Sequence, residues 1–311
     1  MGLSIGVVGA GQFAPSFIPL FQAHPLVDEV CLAELDPDGF AMAAAEMDGT
    51  VHGVGELDRP FPIQSISKVF ALVLTMQLVR ESGTVAEQLW TRVGREPSGD
   101  PFNSLVQLER ERGIPRNPMI NSGALVVDDV LLSSCDDPYT ALHGLVSEVV
   151  GEEVAVDERV RRSEAHTGFR NRAMANLMRS FNNVQHDIDD VLDLYVFQCS
   201  LELTTRQLAR AVRFLANNGV DPATGRRILN PTLSRRVAAI MLTCGTYDAA
   251  GEFAFSVGLP CKSGVAGAIC SLVPHDMGLA VWSPPLEPSG NSAAGKAALH
   301  EFAERLELSI F

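Results

Sequence analysis

The chain has 311 residues, 46% of them hydrophobic, and a formal net charge of −14. That length fits one large domain or two modest ones with a substantial core, and the acidity argues against nucleic acid as the main partner. Six cysteines without a C-x-x-C pair and seven histidines without H-x-x-x-H spacing argue against a disulfide framework and a structural zinc site.

No apolar run approaches the roughly 18 residues a membrane span needs. Met1 to Gly11 holds no basic residue and no long apolar core before a cleavage site, so a cytoplasmic compartment without membrane attachment is expected. The first motif in chain order is Gly9-Ala10-Gly11-Gln12-Phe13-Ala14, after the apolar run Ile5 to Val8. It fits the G-x-G-x-x-A of a dinucleotide-binding turn. Such a turn must open an uninterrupted helix, yet Pro15 and Pro19 fall where that helix would propagate. The alternation of strands and helices that should follow is absent, so no cofactor is expected.

Strands are expected over Glu29 to Leu35, Gly39 to Met47 and Thr50 to Gly55, with Asp48-Gly49 as a hairpin signal. An apolar helix is expected from Ser65 to Ser82, stopped by Gly83. A second runs from Thr204 as N-cap to Asn218 with Gly219 as the stop, and a third from about Thr232 to Thr243. Strands are expected again over Glu252 to Leu259, Gly267 to Val273 and Met277 to Ser283, then a closing helix from Ser292 to Leu306. Strands at both ends predict one shared antiparallel sheet, with the helical middle as a second lobe and the active site at their junction.

Chemistry is carried by Gln64-Ser65-Ile66-Ser67-Lys68. On a helix, positions three apart share a face, so Lys68, if neutral, can take the proton of Ser65 and make it a nucleophile. Cys261-Lys262-Ser263-Gly264-Val265 resembles the Lys-Thr-Gly that accompanies Ser-x-x-Lys in penicillin-recognising enzymes. Between them lies Asn117-Pro118-Met119-Ile120-Asn121, where an asparagine among apolar residues needs partners. Taken one at a time, these blocks are also an ordinary helix, a surface turn and a cap.

In combination they are more specific. The chain resembles the serine-dependent glutaminases, relatives of the β-lactamase and penicillin-binding fold. The resemblance runs in order through Phe61 to Phe70, Glu96-Pro97-Ser98-Gly99-Asp100-Pro101-Phe102-Asn103-Ser104, Asn117 to Asn121, Ser163-Glu164, Arg170-Asn171, Thr243 to Asp248 and Gly258 to Val265. It implies an α+β, β-lactamase-like fold: an antiparallel sheet built from both chain ends and flanked by helices, plus a mainly helical lobe. One domain over 1–311 is expected, with an α/β lobe at approximately 1–64 and 245–311 and a helical lobe at approximately 65–244.

The resemblance also implies hydrolysis of L-glutamine to L-glutamate and ammonia without metal or organic cofactor, by a homodimer or homotetramer. Carried over by position, Ser65 is the nucleophile, Lys68 its base, and Tyr247 a further catalytic group. Asn121, Glu164, Asn171, Tyr195, Tyr247 and Val265 contact substrate, with Lys262 and Gln64 in support. Glu164 is the natural partner for the α-ammonium of glutamine. Lys262 is expected to help keep Lys68 neutral by like-charge repulsion, and burial to push the same way. One departure stands out: Phe17 falls where the family has a substrate-contacting tyrosine, in Gly11-Gln12-Phe13-Ala14-Pro15-Ser16-Phe17-Ile18-Pro19. The rival readings are a non-catalytic glutamine-binding or sensing protein, and an amidase or esterase for another small acyl substrate.

Overall fold

Asp48-Gly49 turns the chain between two paired strands, as its sequence predicts. Gly49 sits at φ 98°, its N–H bonds the Glu46 carbonyl at 3.1 Å, and the Thr50 N–H bonds the Asp48 carboxylate at 2.8 Å. The computed structural model describes residues 3–8, 27–33, 39–81, 89–99 and 104–311; over 3–8, 27–33 and 79–81 only the backbone is described. Gly9 to Ala14, Phe17, Gly83 and Asp100 to Asn103 lie outside the described residues.

The strands are β1 (Leu3–Val8), β2 (Val27–Ala33), β3 (Ala41–Glu46), β4 (Val51–Gly55), β5 (Phe61–Pro62), β6 (Ala155–Val156), β7 (Leu201–Leu203), β8 (Cys261–Gly264), β9 (Ala268–Val273) and β10 (Met277–Trp282). The main sheet is antiparallel, in the order β4-β3-β10-β9-β8, so the two ends of the chain meet at β3 and β10. Both faces of this sheet are buried. Ala41, Ala43, Ala45, Cys270, Leu272 and Ala280 point into the larger core, while Met42, Ala44, Ile269, Leu279 and Val281 point into a second one. That division is the period-2 alternation of a strand.

The helices named here are α1 (Ser67–Glu81), α2 (Leu105–Arg110), α3 (Asn121–Ser134), α4 (Pro138–Val150), α5 (Glu158–Thr167), α6 (Phe169–Ser180), α7 (Ile188–Cys199), α8 (Thr205–Ala211), α9 (Arg213–Ala216), α10 (Pro231–Cys244), α11 (Ala250–Ser256) and α12 (Ala293–Arg305). Val69 to Leu74 and Met76 of α1 are all buried. A helix apolar on every side must lie inside, and α1 packs among α3, α4, α7 and α10.

Four elements differ from the sequence reading. The segment read as a strand over Glu252 to Leu259 is helix α11. Phe253 and Val257, four residues apart, are buried in the second core, and Phe255 between them is 90% exposed, a helical rather than an alternating pattern. The helix expected over Thr204 to Asn218 is two pieces. Thr204 does cap the first, in a capping box with Gln207, but the chain tightens at Val212, whose carbonyl accepts from Leu215 N at 3.1 Å. The first strands do not join the main sheet: β1 and β2 form their own parallel pair, an arrangement that a short hairpin cannot connect. A small sheet, β5-β7-β6, was not expected at all; its strands are two or three residues long.

The piece α8 also lies against β3 and β10 of the sheet. Gly278 of β10 permits this, because a Cβ there would run into the Ala209 carbonyl oxygen. No helix among the described residues is long and apolar enough to cross a membrane.

Candidate active site

The chain enters the site along β5. Ile63 N bonds the Leu201 carbonyl at 2.8 Å, and a 3₁₀ turn over Gln64–Ile66 then leads into α1. Ser65 therefore sits on the turn before the α-helix, not on the helix itself as expected; the three-residue spacing to Lys68 survives. Gln64 holds φ 48°, a left-handed conformation that non-glycine residues rarely adopt and that concentrates at functional sites.

The spacing delivers the contact. Lys68 Nζ lies 2.8 Å from Ser65 Oγ and donates to Asn121 Oδ1 at 2.6 Å. Asn121 in turn donates to Asn171 Oδ1 at 3.0 Å. Asn121 is the first residue of α3, and Asn117 sets its approach. The Asn117 side chain accepts from Met119 N and Ile120 N and donates to the Glu96 carbonyl, which satisfies the buried amide among apolar neighbours. Asn171 lies on α6. Glu164 lies on α5, where Gln64 Nε2 donates to its carboxylate at 3.4 Å. Glu164 and Asn171 also line an open cleft of about 350 Å³.

The opposite wall comes from the sheet. Gly264 lets β8 close on the segment before Ser65: a Cβ there would stand 2.7 Å from the Ile63 carbonyl oxygen. Val265 follows directly and is 40% exposed. Lys262, fully buried, donates to the carbonyls of Gly245 (2.9 Å) and Ser263 (2.6 Å). Its Nζ stands 4.5 Å from the Tyr247 ring centre. Tyr247 is buried at φ 61°, its hydroxyl donates to the Ser263 carbonyl at 3.0 Å, and the Ser65 hydroxyl hydrogen-bonds its oxygen.

Burial sets the proton affinities. It pulls Lys68 down to about 8, against smaller upward pulls from Cys199, Asp128 and Glu164. Lys262 is pulled well below the usual lysine range by burial first and by Lys68 second. Of the two influences expected on Lys68, burial and repulsion from Lys262, burial is the leading one. Burial raises the Tyr247 phenol, which stays neutral and able to donate. It also raises Tyr195, which hydrogen-bonds Cys199 and whose ring centre lies 5.7 Å from Lys68 Nζ.

Ser65, Lys68, Asn121, Asn171, Tyr195, Tyr247 and Lys262 thus form one linked cluster, with Glu164 joined through Gln64. Phe17 lies outside the described residues. Two buried groups escaped the sequence reading. Asp128 of α3 is fully buried near Lys68, and its carboxyl is pushed well above the usual range, chiefly by burial. It accepts from Gln198 Nε2 at 3.1 Å, while Asp128 Oδ1 and Gln198 Oε1 lack partners among the described residues; a neutral carboxyl supplies a donor that an ionised pair would not. Its signal was in the sequence, as Asp128-Asp129 inside the apolar run Ala124 to Leu132. Asn291, buried against Ser263 and Thr246, gave no signal, lying in an ordinary Pro- and Gly-containing turn.

A family model described as Glutaminase matches residues 30–311. A glutaminase of Methylobacterium radiotolerans is 49% identical over 284 residues, 90% of each chain, and one of Rhizobium rhizogenes matches to the same extent. Among solved structures, a probable glutaminase of Bacillus subtilis is 33% identical with a TM-score of 0.82, over 88% of this chain and 90% of that one. A Bacillus subtilis glutaminase covalently bound to 5-oxo-L-norleucine, formed from 6-diazo-5-oxo-L-norleucine, is 30% identical with a TM-score of 0.78, over 89% and 91%.

Proposed function

Because the chain belongs to the glutaminase family, we propose that it hydrolyses L-glutamine to L-glutamate and ammonia through a γ-glutamyl ester on Ser65. The observation that carries this reading is the buried 2.8 Å contact between Ser65 Oγ and Lys68 Nζ, with the amine drawn down to about 8. A lysine so placed is neutral in a useful fraction near neutrality and can act as a base.

Ser65 Oγ attacks the side-chain amide carbon as its proton passes to Lys68. The new oxyanion is met by the backbone N–H groups of Ser65 and Val265; such a donor is worth roughly 2.7–4 kcal/mol in other hydrolases. The Lys68 ammonium, directly or through the Tyr247 hydroxyl, gives its proton to the leaving nitrogen. The C–N bond breaks and ammonia departs. Water then attacks the ester, Lys68 takes a proton from it, and Ser65 Oγ recovers its own as glutamate leaves. Glu164 pairs with the α-ammonium, while Asn121, Asn171 and Tyr195 serve the amino-acid end. A pocket built this way rejects substrates that leave its polar groups unpaired.

By the same reading the chain is one domain of two lobes, divided near residues 64 and 245, and works in the cytoplasm as a homodimer or homotetramer. Ammonia release from L-glutamine by the purified protein tests the function, with Ser65→Ala as control. Release that vanishes in the variant supports it. Glutamine binding without release by folded wild-type protein would point instead to a sensing role. Release only from other small amides or esters would point to a different hydrolase.

A further inference from the structure

Tyr247 is a buried aromatic residue held in the left-handed region, at φ 61°. Bulky side chains hold that conformation only where their surroundings impose it. The surroundings here converge on Asn291. Its amide nitrogen donates to the Thr246 carbonyl at 3.2 Å and to Ser289 Oγ at 3.0 Å. Its Oδ1 accepts from Ser263 Oγ at 2.5 Å. Thr246 immediately precedes Tyr247, and Ser263 supplies the carbonyl that the Tyr247 hydroxyl meets at 3.0 Å.

The result is a closed ring. It runs from the Tyr247 hydroxyl to the Ser263 backbone, through the Ser263 side chain to Asn291, and through the Thr246 carbonyl back to Tyr247. One amide fixes both the peptide entering Tyr247 and the residue against which its phenol rests. Asn291, Ser263 and Thr246 are all buried, so water does not stand in for a lost partner. Asn291 is itself pinned: the Glu287 N–H bonds its carbonyl at 2.8 Å, and the next residue, Ser292, caps α12. Both hydrogens and the oxygen of its side chain are used. Aspartate would lack the donors, and glutamine would be one methylene too long.

We propose that Asn291 is a positioning residue for the reaction, acting through Tyr247 by holding its backbone and hydroxyl at Ser65. This rests on the reading that gives Tyr247 a part in proton transfer. The chain has only three tyrosines, so ¹³Cζ-tyrosine labelling gives a spectrum in which Tyr247→Phe identifies the Tyr247 signal. In Asn291→Ala that signal should move while Tyr139 stays in place. Turnover should fall about tenfold or more with KM within about threefold, since small displacements of a reacting group are enough for such losses. In a Tyr247→Phe background the same substitution should change kcat less than about twofold. An unmoved Tyr247 signal, or equal losses of kcat in the two backgrounds, would overturn the proposal. Wild-type turnover in Tyr247→Phe would overturn it by another route: Tyr247 then has no part in the chemistry, and a moved signal in Asn291→Ala reports a structural contact only. If Asn291→Ala does not fold, Ser263→Ala removes only the donor to Asn291 Oδ1 and is read by the same two measurements.

Discussion

The two walls of the site are built on opposite terms. On the sheet side, Lys262, Ser263, Thr246, Tyr247 and Asn291 are buried and hydrogen-bonded to one another or to backbone. On the helix side, Glu164 sits on α5, which has no buried residue and is joined to α7 by the surface ion pair of Arg161 with Asp193. Surface pairs of this kind contribute about 0–1 kcal/mol each. Desolvation is what shifts Lys68, Lys262 and Tyr247. Under the proposed mechanism the chemistry is therefore placed where water is excluded, and the grip on the charged end of the substrate where water can enter and leave. Damage to the buried wall and the turn facing it should appear in kcat, and damage to α5 and α6 in KM.

The most severe test of that division is Lys68→Arg, which keeps a cation but cannot surrender its proton in this range. Activity should fall by about a thousandfold, within the span usual for general-base removal, with an unchanged circular dichroism spectrum. Residual activity within tenfold of wild type would remove Lys68 from the base role. Gly264→Val comes next. Its side chain must displace β8 from the Ile63 carbonyl, and overpacking of this kind destabilises by about 1–3 kcal/mol. Thermal melting should drop and kcat should fall further than KM rises.

Glu164→Gln should do the reverse. It removes the charge proposed to face the α-ammonium, a charge-assisted hydrogen bond worth about 1.5–3 kcal/mol, so KM should rise about tenfold or more with kcat nearly kept. A fall confined to kcat would erase the contrast between the walls. The last test is of pH. Lys68 must be neutral to act, and its folded value of about 8 lies below its ordinary 10.5. kcat/KM should therefore climb with pH, about tenfold per unit on the acid side, and level off above about pH 8. Between 8 and 10.5 the unfolded chain binds more protons at this residue than the folded one, so its unfavourable contribution to stability shrinks as pH rises through that window. A flat profile from pH 6 to 9 would leave no role for a depressed lysine.

Much of the fold was legible because its signals are local. Asp48-Gly49 fits a turn, Thr204 and Gln207 can cap one another wherever the helix is placed, and the unbroken apolar face of α1 demands burial. The misread elements are those whose meaning depends on a partner. Phe253 and Val257 fit a strand or a helix until the second core selects one face. β5, β6 and β7 are too short to show any period, and exist because three distant segments meet. For the site, Ser65 and Lys68 could be paired from spacing alone, since three residues along a helical turn fixes their separation.

By itself, then, the sequence determined the pairing of Ser65 with Lys68 and the central buried helix, because each follows from the chemistry of residues close in the chain. Only the tertiary structure decided how deeply Lys68 and Lys262 are desolvated. It alone set Gln64 and Tyr247 in left-handed backbone and brought Asn291, 44 positions beyond Tyr247, to hold it. Desolvation and long-range hydrogen bonds depend on what surrounds a residue in space, and no local pattern in the chain encodes that.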